Sequence, residues 1–270
     1  DLVVISRTSS MIYKDSKLPL KQIAKELGVS KIVEGSVQKA GDSVRIAVQL
    51  IEGATQKNLW SKTFDKGLSN LFSIQTEISM NIARELNVIL TSQEVELIQK
   101  IPTNSQLAYD YYLKGKQYRE DRKIELAIEL LNKATEQDPG FTLAYVEKAS
   151  IYTNSYFNLR YHIDDSLAKV NLKIAQKIDP DLPEVKFEQA EQLYRIDRNH
   201  DKALERIDDL KTQMINNTAF LNLRAAILRR KGKWEEAQID WKKLSLLDPL
   251  TTKWYRQIGI TYQWTRRYSE

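Results

Sequence analysis

Side chains that could carry catalysis are few in this sequence and lie apart from one another. There is no cysteine, which excludes a disulfide framework, a thiol nucleophile and a cysteine metal site. The two histidines, His162 and His200, belong to neither an H-x-x-x-H nor an H-x-x-H pair, so their spacing argues against a histidine metal site. Neighbouring carboxylates occur at Asp164-Asp165 and Asp208-Asp209, where we expect helix starts or solvated helix faces.

Glycine is also too sparse to build a phosphate-binding loop. The chain has 9 glycines and neither the G-x-x-x-x-G-K-[ST] nor the G-x-G-x-x-G spacing. Gly35-Ser36-Val37 fails the G-x-S-x-G spacing of a nucleophile elbow. We therefore predict no catalytic residue, no metal, no cofactor and no small-molecule substrate, and interpret the chain as a non-enzyme.

Composition is that of a soluble globular protein, and charge is spread unevenly along the chain. The 42% hydrophobic and 29% charged residues are typical of a soluble globular protein. We expect neither a membrane span nor a signal peptide, because long apolar runs and a basic start are both missing. Residues 224–267 hold eleven Lys and Arg against four Asp and Glu. Because clustered Lys and Arg side chains can bind phosphates, this basic segment makes nucleic-acid binding an alternative to protein binding.

The larger part of the chain repeats a pattern of small, aromatic and proline residues roughly every 34 residues. Its members recur at the offsets where two antiparallel helices touch, and proline stops the second helix. The first copy contains Tyr111, Gly115, Tyr118, Ala127, Leu131, Ala134 and Asp138-Pro139. The later copies contain Tyr145, Ala149, Tyr152, Ala168, Leu172, Ala175 and Asp179-Pro180; Phe187, Tyr194, Ala203, Ile207 and Leu210; Leu221, Ala225, Leu228, Gly232, Ala237, Trp241, Leu244 and Asp248-Pro249; and Tyr255, Gly259 and Tyr262.

This pattern resembles the tetratricopeptide repeat (TPR) over residues 105–270, with a fifth copy that stops partway. The resemblance implies an all-α superhelical solenoid whose first helices form a concave groove for a protein or peptide. Projection of those helices predicts that the following side chains face the groove: Tyr109, Tyr112, Lys116, Arg119, Val146, Ser150, Glu188, Gln192, Arg195, Asn222, Ala226, Arg229, Arg256 and Gln263. TPR relatives that hold terminal carboxylates use Lys, Arg and Asn in such places. The detailed clamp pattern is not matched, and solvated helix positions are the alternative.

The first hundred residues follow a different period, which predicts the order β-α-β-β-β-α and a small α+β domain. Alternation of apolar residues marks the strands, and Pro19 and Gly28 delimit the first helix. The predicted elements are strand 2–5, helix 20–28, strands 31–37, 44–50 and 59–64, and a helix from Leu71 capped by Ser69 or Asn70. Residues 22–30 also have the spacing of the first helix and turn of a bacterial helix-turn-helix. The β-branched residues that follow favour a strand instead.

The same region resembles the TolB-amino-terminal-like domain of bacterial signalling proteins. The matching stretches are 4–9, 23–29, 33–37, 44–50, 59–61 and 74–78. In that family the domain lies between an output module, a winged helix or a class III nucleotide cyclase, and TPRs. A further strand and helix normally precede the segment matching Val3. The resemblance therefore implies that this chain starts inside the domain and leaves a sheet edge unpaired.

Three segments follow from these boundaries: an α+β domain at 1–91, a helical linker at 92–104 and the repeats at 105–270. A capping box at Thr91-Ser92-Gln93-Glu94 opens the linker helix. The second repeat carries an insertion near 153–163, with Tyr156, Phe157, Arg160, Tyr161 and His162. It is interpreted as a longer helix and loop, with an aromatic contact surface as the alternative.

Together these patterns predict a protein-interaction and sensing region of a bacterial signalling or transcription-regulating protein. Its partner would be a protein or peptide in the groove, including the protein's own output domain. One alternative is the regulatory arm of a nucleotide cyclase whose catalytic domain lies outside this chain. The cytoplasmic and the periplasmic side of the inner membrane both remain open.

Overall fold

The computed structural model describes residues 3–41, 43–67, 71–159 and 165–265. Contacts divide the chain into two compact units. The first runs to Ile101 and includes Asp248–Thr251, and the second comprises Pro102–Leu247 and the residues from Thr252 onward.

The first unit begins with two helices, α1 (Arg7–Met11) and α2 (Leu20–Leu27). The prediction of a strand at 2–5 is wrong for its described part, because 3–6 form no regular element and Ser6 caps α1 by accepting from the Ser9 N–H. In α2 the expected boundaries are confirmed: Pro19 precedes it, and Gly28 ends it in the left-handed region, at φ 67°.

A three-stranded antiparallel sheet follows, in the order β1 (Lys31–Ala40), β2 (Ser43–Glu52), β3 (Asn58–Gly67). Strand β2 alternates as expected, and its Val44, Ile46 and Val48 are buried. Because residues 31–40 form a strand, the helix-turn-helix alternative is wrong for this segment.

Two helices complete the first unit. Helix α3 (Leu71–Glu85) brings the fully buried Ile74 against Phe64 of β3, and its predicted caps, Ser69 and Asn70, lie outside the described residues. Helix α4 (Ser92–Gln99) has the predicted capping box: Thr91 and Glu94 exchange hydrogen bonds through side chain and backbone.

The second unit consists of helix pairs, as the repeat pattern predicts. Its helices are α5 (Gln106–Glu120), α6 (Ile124–Gln137), α7 (Thr142–Leu159), α8 (Asp165–Ile178), α9 (Pro183–Arg195), α10 (His200–Asp208), α11 (Lys211–Met214), α12 (Thr218–Arg230), α13 (Trp234–Leu247) and α14 (Thr252–Trp264). The short α11 follows the copy that lacks a closing proline.

Small residues bring the helices of a pair into close contact. Ala127, Leu131 and Ala134 of α6 are fully buried against α5. A Cβ atom built on Gly115 of α5 would lie 2.9 Å from Leu131 Cγ and 3.2 Å from the Ala127 carbonyl oxygen. Glycine is therefore needed for this approach. Ala168, Leu172 and Ala175, and then Ala237, Trp241 and Leu244, repeat the same burial in α8 and α13.

The insertion lengthens α7, which has 18 residues. Arg160, Tyr161 and His162 lie outside the described residues, as does the side chain of Tyr156. Across the part of the chain that the structure describes, no helix is both long enough and apolar enough to cross a bilayer. The same residues contain no group of His, Cys, Asp and Glu suited to a metal ion.

Candidate binding surface on the first helices

Polar and aromatic side chains connect the first helices of successive pairs. Arg119 of α5 contacts Glu147 of α7, and Thr153 of α7 contacts Glu188 of α9. We call the face built by α5, α7, α9, α12 and α14 the first-helix surface.

The α5 end is aromatic. Tyr109 and Tyr112 stack with ring centroids 6.1 Å apart, and Tyr112 also contacts Phe141 at 5.0 Å. The Lys116 ammonium lies 5.4 Å from the Tyr112 ring centroid, a cation–π contact. Burial, followed by the charges of Glu147 and Glu184, raises the pKa of Tyr112.

Arg119 bridges α5 to α7. Its guanidinium donates to Glu147 Oε1 at 2.6 Å and to Ser150 Oγ at 2.9 Å. The Arg119 and Glu147 side chains are 30% and 13% exposed, which leaves the pair partly open to solvent. The cation predicted at position 119 is thus already paired with a carboxylate.

A buried carboxyl group bridges α7 to α9. Glu188 is 1% exposed and accepts hydrogen bonds from Thr153 Oγ1 at 2.6 Å and Gln192 Nε2 at 3.3 Å. Gln192 donates its other bond to the Ala168 carbonyl at 2.9 Å. Burial and the nearby Glu191 raise the pKa of Glu188 to about 8, so the neutral acid is the favoured form at pH 7.

Arg195 ends α9 between a carboxylate and an aromatic ring. It forms an ion pair with Glu191, and its guanidinium lies 4.7 Å from the ring centroid of Phe157 of α7. Phe157 is 43% exposed, so this ring adds apolar surface next to the cation.

Arg229 of α12 and the cations of α14 have no carboxylate partner among the described residues. Arg229 donates to the neutral Gln257 Oε1 at 2.7 Å and lies 5.5 Å from the Trp241 ring centroid. Lys253 and Arg256 stand one turn apart on α14 and are both exposed. Among the described residues neither forms an ion pair, and the Lys253 ammonium lies 4.9 Å from the Trp254 ring centroid.

Four of the predicted groove residues are buried, which corrects the expectation that their side chains face a partner. Tyr112 packs on Phe141, Val146 packs in the core of the second pair, and Glu188 and Gln192 bond to neighbouring helices. The helical projection ignored these neighbours. Tyr109, Lys116, Arg119, Ser150, Arg195, Asn222, Ala226 and Arg229 are half-buried, and Arg256 and Gln263 are exposed.

Several residues of this surface were missed by the sequence analysis. Glu147, Glu191 and Lys253 each lie three or four positions before a predicted residue, namely Ser150, Arg195 and Arg256. Helical spacing was therefore a signal that could have found them.

Comparisons with known proteins indicate what this chain resembles. No protein-family profile matches it. It is 32% identical over 161 residues to the putative adenylate cyclase 3 of Rhizobium meliloti strain 1021, which is 58% of this chain and 27% of that protein. It is 27% identical over 113 residues to the transcriptional activator CadC of Escherichia coli strain K12, which is 39% of this chain and 21% of that protein. The matches thus span about a quarter of these relatives.

Solved structures share the fold of the helix pairs. PilW, a type IV pilus biogenesis factor, has a TM-score of 0.50 at 15% identity, over 60% of this chain and 71% of its own. PilF of Pseudomonas aeruginosa has a TM-score of 0.50 at 18% identity, over 61% and 71%. With these neighbours, the fold is an α+β N-terminal part followed by a TPR solenoid.

Proposed function

We propose that this chain is a protein-interaction region of a bacterial signalling or transcription-regulating protein, and that it binds a partner protein or peptide on the first-helix surface. The observation that carries the proposal is the row of half-buried polar and aromatic side chains along successive first helices. Lys116, Ser150, Asn222 and Arg229 belong to that row. Repeated helix pairs present such a row as an extended binding surface.

The relatives support a place in signalling. One is called a putative adenylate cyclase and the other a transcriptional activator, and each shares only part of its length with this chain. Because the two relatives are named for different activities, the segment that this chain shares with them fits a role in interaction or signal sensing rather than in catalysis or transcription itself. The TolB-like resemblance of residues 2–91 supports the same role. A regulatory arm of a cyclase, with catalysis outside this chain, is the second candidate, supported by the first relative's name.

Selection of peptides from a random display library against the whole chain tests the proposal. Selected peptides are then titrated by calorimetry against the wild type and against Lys116→Glu/Arg195→Glu. We expect the variant to lose at least about tenfold in affinity, because it places two carboxylates where the row has cations.

The matched control carries Lys173→Glu and Lys202→Glu, two exposed lysines on the second helices α8 and α10. It has the same change in net charge and should retain wild-type affinity. Circular dichroism confirms that both variants are folded. Equal affinity of the selected peptides for the wild type, the surface variant and the control would refute binding on the first-helix surface.

A further inference from the structure

Charge is distributed unequally along the first-helix surface. At the α5 and α7 end, Glu147 pairs with Arg119, and the Lys116 ammonium lies 5.4 Å from the Tyr112 ring centroid. Arg119, unlike the cations described next on α14, is therefore compensated by a carboxylate.

The opposite end, formed by α9, α12 and α14, carries four cations: Arg195, Arg229, Lys253 and Arg256. We call these four residues the basic end. Arg195 forms an ion pair with the Glu191 carboxylate, whereas Arg229 donates a hydrogen bond to the neutral amide oxygen of Gln257. No carboxylate among the described residues pairs with Lys253 or Arg256. Positive charge here thus exceeds the negative charge that compensates it.

Lys253 and Arg256, one turn apart on α14, lie close enough to repel each other. Lys253 is exposed as a residue, but partial desolvation of its ammonium group lowers its pKa, and the charges of Arg195 and Arg256 lower it further. The hydrogen bond from Arg229 to Gln257 brings α12 beside the residue that follows Arg256. An anion bound among these side chains would relieve the repulsion and make charge-assisted hydrogen bonds.

Apolar surface next to the cations favours a peptide as the source of that anion. Phe157, 43% exposed, stacks on Arg195, and Tyr255, 52% exposed, lies between Lys253 and Arg256 in the sequence of α14. Aromatic rings beside guanidinium groups can bury the aliphatic stems and apolar side chains of a peptide.

We propose that the basic end binds an acidic peptide segment of the partner, through its Asp and Glu side chains. This inference rests on the proposed function and adds the chemical class of the ligand and its place on the surface. The acidic segment lies over α9, α12 and α14, because Lys253 and Arg256 of α14 lack a paired carboxylate among the described residues.

Fluorescence anisotropy with a short labelled peptide in which Glu alternates with Ser tests this inference. The same peptide with Gln in place of Glu is the uncharged counterpart. We expect the Glu peptide to bind the wild type at low salt and the Gln peptide to bind much more weakly. The double variant Lys253→Gln/Arg256→Gln should bind the Glu peptide about fivefold to tenfold more weakly than the wild type does, as expected for the loss of two exposed ion pairs. Lys173→Gln/Lys202→Gln, with the same charge change, should stay within about twofold.

Three results would overturn the inference: equal binding of the Glu and Gln peptides, equal weakening by both variants, or tighter binding of a DNA duplex that depends on Lys253 and Arg256. The first of these, obtained while display-selected peptides still depend on Lys116 and Arg195, would leave the proposed function standing. If the affinity of the selected peptides is also independent of Lys116 and Arg195, the proposed function is refuted as well.

Discussion

Thr153 of α7 donates a 2.6 Å hydrogen bond to Glu188 of α9, across the junction between two repeats. The carboxyl group that accepts it is 1% exposed and lies near Glu191 and the guanidinium of Arg119. Thr153 can donate to this carboxyl group in either protonation state, but ionisation places a negative charge in a buried site, and this cost makes the junction sensitive to pH.

Stability should therefore fall as pH rises toward the pKa of Glu188. That pKa is about 8 in the folded protein and about 4.5 for an ordinary Glu side chain, so the folded state binds the proton more tightly. The contribution is fully present below about pH 4.5 and is lost as pH rises through about 8, at up to about 1.4 kcal/mol per pH unit. Urea unfolding from pH 5 to 9 measures this slope.

Glu188→Gln is the matched variant, because an amide keeps hydrogen-bonding atoms in place without titrating. We expect a flatter pH dependence than in the wild type and higher stability than the wild type at pH 9. Parallel pH profiles for the two proteins would show that Glu188 is ionised in the folded state or is solvated.

Two glycines should respond oppositely to the same substitution. Gly115→Ala places a Cβ atom 2.9 Å from Leu131 Cγ and should lower the free energy of unfolding by about 1–2 kcal/mol. Gly259→Ala, in helix α14, meets no atom within 4 Å and should raise it by about 0.5–1 kcal/mol. Thermal unfolding reports both, and a stabilising Gly115→Ala would contradict the close approach of α5 and α6.

A second test of the packing concerns Arg224 of α12, which donates to both carboxylate oxygens of Asp240 of α13, at 2.9 and 2.8 Å, and to Asp208 at 2.8 Å. The Arg224 and Asp240 side chains are 12% and 6% exposed. Asp240→Asn should cost about 2–3 kcal/mol, because it leaves a largely buried guanidinium with one carboxylate. As a control, Asp165→Asn removes a more exposed pair with Lys169 and should cost less than about 0.5 kcal/mol. Similar losses in chemical denaturation would mean that burial does not distinguish these pairs.

Lys253 offers a direct measure of the repulsion at the basic end. Arg256→Gln removes one of the charges that lower its pKa, so that pKa should rise but stay below the ordinary value because burial remains. NMR titration of ¹³C-methylated lysines reads this change. Lys173→Gln serves as the distant control, and an unchanged Lys253 pKa in Arg256→Gln would contradict the proximity of the two cations.

The repeat helices were predictable because several offsets agree in each copy. Gly115, Ala127 and Leu131 limit one another sterically, and that constraint is visible as a fixed spacing. The capping box at Thr91 and Glu94 was equally recognisable from the sequence, because its two partners are three positions apart. At the N-terminus, the apolar run through Val3 and Val4 suggested a strand, but both side chains are exposed and Ser6 caps a helix instead.

The binding surface was less predictable, because burial there depends on neighbours distant in sequence. Glu188 and Gln192 are polar and were placed in the groove, yet Thr153 and the Ala168 carbonyl satisfy them from other helices. Helical periodicity gives the face of a side chain but not the helix that covers it. Lys253, by contrast, lies one turn before the predicted Arg256, so the same helical projection could have identified it.

The central claim, that a partner binds on the first-helix surface, is tested most directly by site-specific photo-cross-linking with a display-selected peptide. A benzoylphenylalanine at Phe157 probes that surface, and one at Ile239, 67% exposed on the second helix α13, probes a different face. We predict cross-linking of the peptide from position 157 and none above background from position 239. Cross-linking from 239 with none from 157 would contradict the claim.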